Sequence, residues 1–187
     1  MQHLTGKTVA ILATDGFEQS ELVVPMERLR EAGAKVEIIS LQSGEIRGWK
    51  EKDWGDKFPV DRTLNEASVE DYDALVLPGG QINPDVLRTK PEAVAFVRRF
   101  YESKKPLAAI CHAPWMLIEA GVTKGLRATS YHSIRTDMIN AGAEWVDQEV
   151  VVDKGVITSR NPNDLGPFVD KIIEEIREGR HDQRAVA

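Results

Sequence analysis

The chain has 187 residues, 42% hydrophobic and 29% charged, with a formal net charge of -6, enough to bury one substantial core and ordinary for a globular domain. An acidic balance with no basic stretch argues against general binding to nucleic acid or anionic membranes, and no apolar run approaches the roughly 20 residues of a membrane-spanning helix. The one cysteine excludes an intrachain disulfide and the opening MQHLTGK lacks the apolar run of a secretory leader, so a reducing, cytoplasmic location is expected.

Residues 7–14 (KTVAILAT) form a continuous β-branched, apolar run that predicts a strand buried on both faces. After the turn Asp15-Gly16, the spacing of Leu22, Met26 and Leu29 predicts a helix stopped at Ala32-Gly33. Pro25 falls inside that pattern and is expected in the first turn or at a kink. Residues 35–41 (KVEIISL) are a second strand, and strand, helix, strand in this order imply a parallel sheet with right-handed crossovers. Gly44, Gly48, Gly55 and Pro59 break the rhythm, so residues 43–62 are read as a surface hairpin carrying Trp49 and Trp54.

Thr63-Leu64-Asn65-Glu66 has the capping-box spacing of a short helix. Residues 73–77 (DALVL) are the third core strand, ending at Pro78-Gly79-Gly80. Pro91 suits the first position of a helix with Val94, Val97 and Tyr101 on one face. Residues 105–110 (KPLAAI) are the fourth strand, running into Cys111-His112-Ala113-Pro114 and a helix through about Ala120. A short strand at 127–130, a helix at 133–140 and a hairpin of 148–153 with 156–159 follow. Asp164 is expected to cap a last helix with Leu165, Phe168, Ile172 and Ile176 on its buried stripe. The whole, 1–187, is one domain, with a core at about 7–177 and a loose charged tail at 179–187.

A cysteine ending an apolar strand is by default core filler. Here the thiol stands at the C-terminal end of a parallel strand, where α/β folds place ligands. A helix start follows, whose free N–H groups favour a thiolate. Small residues Ala108, Ala109 and Ala113 allow the sharp bend of a nucleophile elbow. Adjacency alone does not pair His112 with Cys111, although at an elbow the ring can fold over the thiol, and its backbone N–H can help bind an oxyanion. Gly79 and Gly80 end the neighbouring strand and are the candidates for the other oxyanion donors, with a plain tight turn as the alternative. Glu18 is the candidate carboxyl at the same edge, either touching the sulfur or complementing a helix start. His3 and His181 are expected to be solvated. His132 lines the same pocket or lies on the surface. No ligand spacing indicates a metal and no glycine motif a nucleotide, so no cofactor is expected.

Several stretches together resemble the ThiJ/PfpI superfamily over residues 7–176, in its branch of intracellular proteases and bacterial general stress proteins. They are Asp15-Gly16-Phe17-Glu18 with Glu21-Leu22, the run DALVLPGG at 73–80, Ala109-Ile110-Cys111-His112, DMINAGAEW at 137–145 and EVVVD at 149–153. The resemblance implies a flavodoxin-like three-layer α/β sandwich with a class I glutamine amidotransferase-like fold. Cys111 is then the nucleophile, and Glu18 the carboxyl in contact with it. It further implies that His112 is oriented by an acid from a neighbouring subunit, for which Asp85 in Pro84-Asp85 is the candidate. The complete site then belongs to a homo-oligomer, a dimer at least and up to a hexamer. Ala113 stands where the family often has glycine, and His132 where relatives often have proline.

Relatives of this kind are described as peptidases, glyoxalases and deglycases of glyoxal and methylglyoxal adducts, all starting with thiolate addition to a carbonyl carbon. The preferred expectation is attack by Cys111 on a small carbonyl compound or a glycated protein or peptide, with His112 moving protons. An intracellular cysteine peptidase and a non-catalytic redox sensor are the alternatives. A glutamine amidotransferase is rejected, because neither His132-Ser133-Ile134 nor His181-Asp182-Gln183 supplies that class's His-x-Glu pair.

Overall fold

The computed structural model describes residues 3–184. The chain runs β1 (Thr8–Leu12), β2 (Phe17–Glu18), α1 (Gln19–Glu31), β3 (Lys35–Ser40), β4 (Glu45–Lys50), β5 (Asp53–Pro59), β6 (Arg62–Thr63) and β7 (Ala74–Leu77). It continues through α2 (Ile82–Leu87), α3 (Pro91–Glu102), β8 (Leu107–Ile110), α4 (Pro114–Glu119), β9 (Arg127–Ala128), α5 (Arg135–Asn140) and β10 (Glu144–Trp145). It closes with β11 (Val151–Asp153), β12 (Val156–Ser159) and α6 (Leu165–Glu178). Seven strands form the central sheet in the order β11-β12-β8-β7-β1-β3-β6, parallel throughout except for β11 against β12.

Both faces of the sheet are covered, as continuous apolar strands require. Along β1 the side chains alternate between two cores: Ala10 and Leu12 join Phe96, Phe100 and Leu117 of α3 and α4. Val9 and Ile11 join Leu22 and Leu29 of α1 and Phe168 and Ile172 of α6 on the other face. From β1 the chain goes to β3 on one side, then returns to β7 on the other. That reversal opens a crevice at the C-terminal strand ends, where ligands of such sheets bind.

Some local expectations are corrected. The surface hairpin forms as β4 and β5, but β2 joins it to make a separate three-stranded sheet. Thr63 and Glu66 make the capping contact, N–H to Oε2 at 2.8 Å, yet they form a turn, and a 3₁₀ turn comes later at Val69–Asp71 under Ser68. Pro25 lies within the second turn of α1, which excludes the first turn and leaves the kink as the expectation for it. Residues 127–128 pair with β10 outside the main sheet. Asp164 does not cap α6, because its carboxylate is taken by Arg160, which donates from its backbone N–H at 3.0 Å and from Nε at 2.9 Å.

The tail is not loose as far as Asp182 and Arg184. Arg184 is 2% exposed and donates to the carbonyls of Lys154, Tyr101 and Lys105 at 2.8–3.0 Å. His181, expected to be solvated, lies 2.8 Å from Glu175. Residues 185–187 of the predicted tail lie outside the described residues. Among the described residues no helix is long and apolar enough to cross a membrane.

Candidate active site

Cys111 follows β8 with φ +65°, a left-handed conformation that costs a non-glycine residue roughly 1–3 kcal/mol and persists only where surroundings enforce it. Its N–H donates to the Ser159 carbonyl at 3.0 Å and its carbonyl accepts from the Tyr131 N–H at 2.8 Å. Those bonds hold the predicted elbow. The bend also brings neighbours together: His112 Nδ1 lies 3.1 Å from Cys111 Sγ. The imidazole is buried, stacked on Tyr131 with centroids 4.6 Å apart and edge-on to Trp115 at 5.1 Å. Burial, aided by the charge of His132, pushes His112 down to about 4, so the ring is neutral at pH 7.

The carboxyl against the thiol is Glu21, not Glu18. In the first turn of α1, three residues after Glu18, the chain has rotated far enough to turn Glu21 inward. Glu21 is fully buried, and its Oε1 accepts the Gly79 N–H at 2.9 Å. Oε2 has no hydrogen-bond partner among the described residues, and the Cys111 thiol is a neighbour of the carboxyl. Glu18 is half-buried, its Oε1 accepting from Ser20 Oγ at 3.1 Å. The signal available in the sequence was Glu21 one residue before Leu22, on the edge of the buried stripe of α1.

Burial, followed by the charge of Glu18, pushes Glu21 up to about 8, so it carries its proton at neutral pH. Burial also pushes the Cys111 thiol up, and an ionised Glu21 would push it further. The expectation of a thiol simply acidified by its elbow is thus corrected. The N–H groups of Gly80 and His112 act in the opposite direction at the sulfur. The proton on Glu21 both removes a repelling charge and leaves an O–H able to donate to a thiolate.

Gly79 has its N–H committed to Glu21 at 2.9 Å, which removes it from the predicted oxyanion donors; the Gly80 N–H acts on the sulfur as well as on that carboxyl and stays a candidate. A Cβ on Gly79 would stand 2.6 Å from Glu21 Oε1, 2.6 Å from the Ile110 carbonyl and 2.7 Å from Cys111 Cβ. Strands β7 and β8 and the buried carboxyl converge there on a hydrogen atom. Gly79→Ala is expected to destabilise the fold by about 3 kcal/mol or more, because a backbone carbonyl cannot move aside. A urea midpoint within error of the unmodified chain would disprove this packing argument.

Asp85 is on α2, exposed, and pairs with Arg88 at 2.6 Å. Arg88 lies over the Trp115 ring at 4.2 Å. Within the chain the partner of His112 Nε2 is Ser133 Oγ at 3.2 Å, a residue the sequence reading missed. His132 is exposed, its ring tilted against Tyr131 with centroids 4.4 Å apart; it is not among the residues lining the cavity at the thiol.

That cavity, of about 440 Å³, has Cys111 and His112 in its wall together with Glu18, Trp49, Tyr131 and Pro162. A second, of about 400 Å³ near Thr14, Ser40 and Lys90, lacks a nucleophile. Glu175, Glu178 and His181 have potential metal-ligand atoms within 4.8 Å of one another. They lie at the opposite end of the sheet, where the buried Arg184 guanidinium is already the resident cation.

The DJ-1/PfpI family model matches residues 7–175. The chain is 44% identical over 169 residues to a deglycase of Thermococcus kodakarensis, covering 90% of this chain and 99% of that protein. It is 44% identical over 164 residues to protein/nucleic acid deglycase 2 of Escherichia coli, covering 87% of this chain and 93% of that one. The crystal structure of Drosophila melanogaster DJ-1beta superposes with a TM-score of 0.83 at 31% identity, covering 91% of this chain and 90% of that chain.

Proposed function

This chain belongs to the DJ-1/PfpI family, and on that premise we propose that it is a cysteine-dependent deglycase acting on small reactive-carbonyl adducts, glyoxal and methylglyoxal adducts first. The observation that carries this reading is the Cys111 thiol, with His112 at 3.1 Å, in the wall of a cavity of about 440 Å³. Space on that scale receives a modified side chain or a small carbonyl compound, whereas a peptidase needs an extended groove.

The Cys111 thiolate adds to the adduct's carbonyl carbon, placing negative charge on the carbonyl oxygen. N–H groups of Gly80 and His112 are the donors available to that oxygen as the sulfur gives up its charge to the new bond. The neutral His112 ring accepts the thiol proton at Nδ1 and returns a proton to the departing amine or thiol. Loss of the amine or thiol leaves an aldehyde carbon that takes up one water, and a hydride shift from it to the neighbouring carbon displaces the Cys111 sulfur and gives a hydroxy acid, so no external oxidant or reductant is consumed. Names given to relatives support the reaction class. The complete protein is proposed to be cytoplasmic and to work as a homo-oligomer.

The test is release of free amine from a methylglyoxal-treated lysine peptide, in a buffer without amines, with the protein before and after alkylation by iodoacetamide. Because Cys111 is the only cysteine, alkylation reports on it alone. Release well above the no-protein rate, abolished by alkylation, is the expected result. Equal rates with and without protein would end the deglycase reading.

A further inference from the structure

We propose that Ser133 is the positioning residue of His112: an in-chain hydroxyl that both donates and accepts at Nε2, letting the imidazole stay neutral while Cys111 loses its proton. The proposal rests on the reading of Cys111 and His112 as the reacting pair, though not on any particular substrate. The geometry is a chain of three side chains, Sγ to Nδ1 at 3.1 Å and Nε2 to Oγ at 3.2 Å. Tyr131 stacked on the ring and Trp115 edge-on to it block rotation, so the ring can only exchange protons in place.

Burial makes a charged imidazole costly here, and His112 is 4% exposed. A carboxylate at Nε2 would accept only, and would favour imidazolium. A serine hydroxyl has one proton and two lone pairs and rotates between roles. With the thiol protonated, Sγ–H donates to Nδ1 and Nε2–H donates to Ser133 Oγ. On ionisation the thiol proton passes to Nδ1 and the Nε2 proton leaves to solvent, which reaches the exposed Ser133. The hydroxyl then turns to donate to Nε2, while Nδ1–H donates to the thiolate. One proton is lost overall, and the ring carries one proton before and after.

The titratable groups around the ring are Cys111, Tyr131 and His132, with Glu18 on the cavity wall and Arg88 beyond Trp115. None of these meets Nε2 in the chain. The remaining competitor is an acid such as Asp85 delivered by a second copy, which makes the two arrangements separable by mutation.

The experiment follows alkylation of Cys111 by iodoacetamide from pH 5 to 9, alongside the histidine ¹⁵N shifts, in the full-length protein. Ser133→Ala is expected to slow alkylation at pH 7 about tenfold, the scale of one lost hydrogen bond to a buried ring. Its thermal midpoint should fall by at most a few degrees, because the Ser133 side chain is exposed. Ser133→Thr keeps the hydroxyl and is expected to stay within about twofold of the parent. Ser133→Asp is expected to raise the titration of His112 by stabilising imidazolium. The proposal is overturned if Ser133→Ala alkylates with the parent's profile, or if Asp85→Asn slows alkylation while Ser133→Ala does not. A parent that shows the Ser133 dependence yet frees no amine from glycated peptide upholds this assignment and removes the deglycase reading alone.

Discussion

Cys111→Ser is expected to lose activity on carbonyl adducts by about a thousandfold or more, with little change in stability. A hydroxyl in the same place ionises far less readily than a thiol, and neither Glu21 nor the neutral His112 can compensate for that difference. The fold should not register the change: serine is slightly smaller than cysteine, and the backbone bonds to Ser159 and Tyr131 that enforce φ +65° involve no side-chain atom of residue 111. The urea midpoint is therefore expected to stay within about 1 kcal/mol of the parent. Retention of more than about a tenth of kcat/KM, with matched midpoints, would remove Cys111 from the chemistry.

Glu21→Gln is expected to abolish a pH dependence of stability that the parent shows between about pH 4.5 and 8. Folding raises the carboxyl from 4.5 to about 8, so in that window the native state holds a proton that the unfolded chain has released. The contribution is fully present below the lower value and is lost as pH rises through the upper one. Its size is on the order of 5 kcal/mol as an upper figure. Glutamine keeps an oxygen for the Gly79 N–H and holds no titratable proton, so its stability curve should be flatter and should lie above the parent's at pH 8.5. Other groups titrate in both proteins and cancel in the difference. Parallel urea-midpoint curves for the two would show that Glu21 does not retain its proton on folding.

The same substitution should alter thiol chemistry above pH 8. There the parent's carboxylate places a negative charge beside the sulfur, while the carboxamide does not. Alkylation is expected to rise more steeply with pH in Glu21→Gln than in the parent.

What the sequence determined by itself was the frame and the place of the cysteine. Apolar runs ending in glycine or cysteine name three adjacent strands, β1, β7 and β8, and the chain order places their ends on one edge of a parallel sheet. Cys111 was legible because small residues flank it and a helix follows. That information is local, carried by backbone sterics and hydrophobic period.

The partners of Cys111 were decided by tertiary structure. Glu18 and Glu21 are both acidic residues at the start of one helix; only the packing of α1 on the sheet turns Glu21 inward to the Gly79 N–H and leaves Glu18 half-exposed. Gly79 and Gly80 look alike in sequence, yet the N–H of the first is held by the buried carboxyl at 2.9 Å, while that of the second acts on both the carboxyl and the sulfur. Ser133 lies 21 residues beyond His112, and although it opens the helix expected at 133–140, nothing in the sequence directs it to the ring. It reaches the ring because the Tyr131 N–H is bonded back to the Cys111 carbonyl. Side chains that meet across a fold are selected by distance and burial, and neither is written into local sequence.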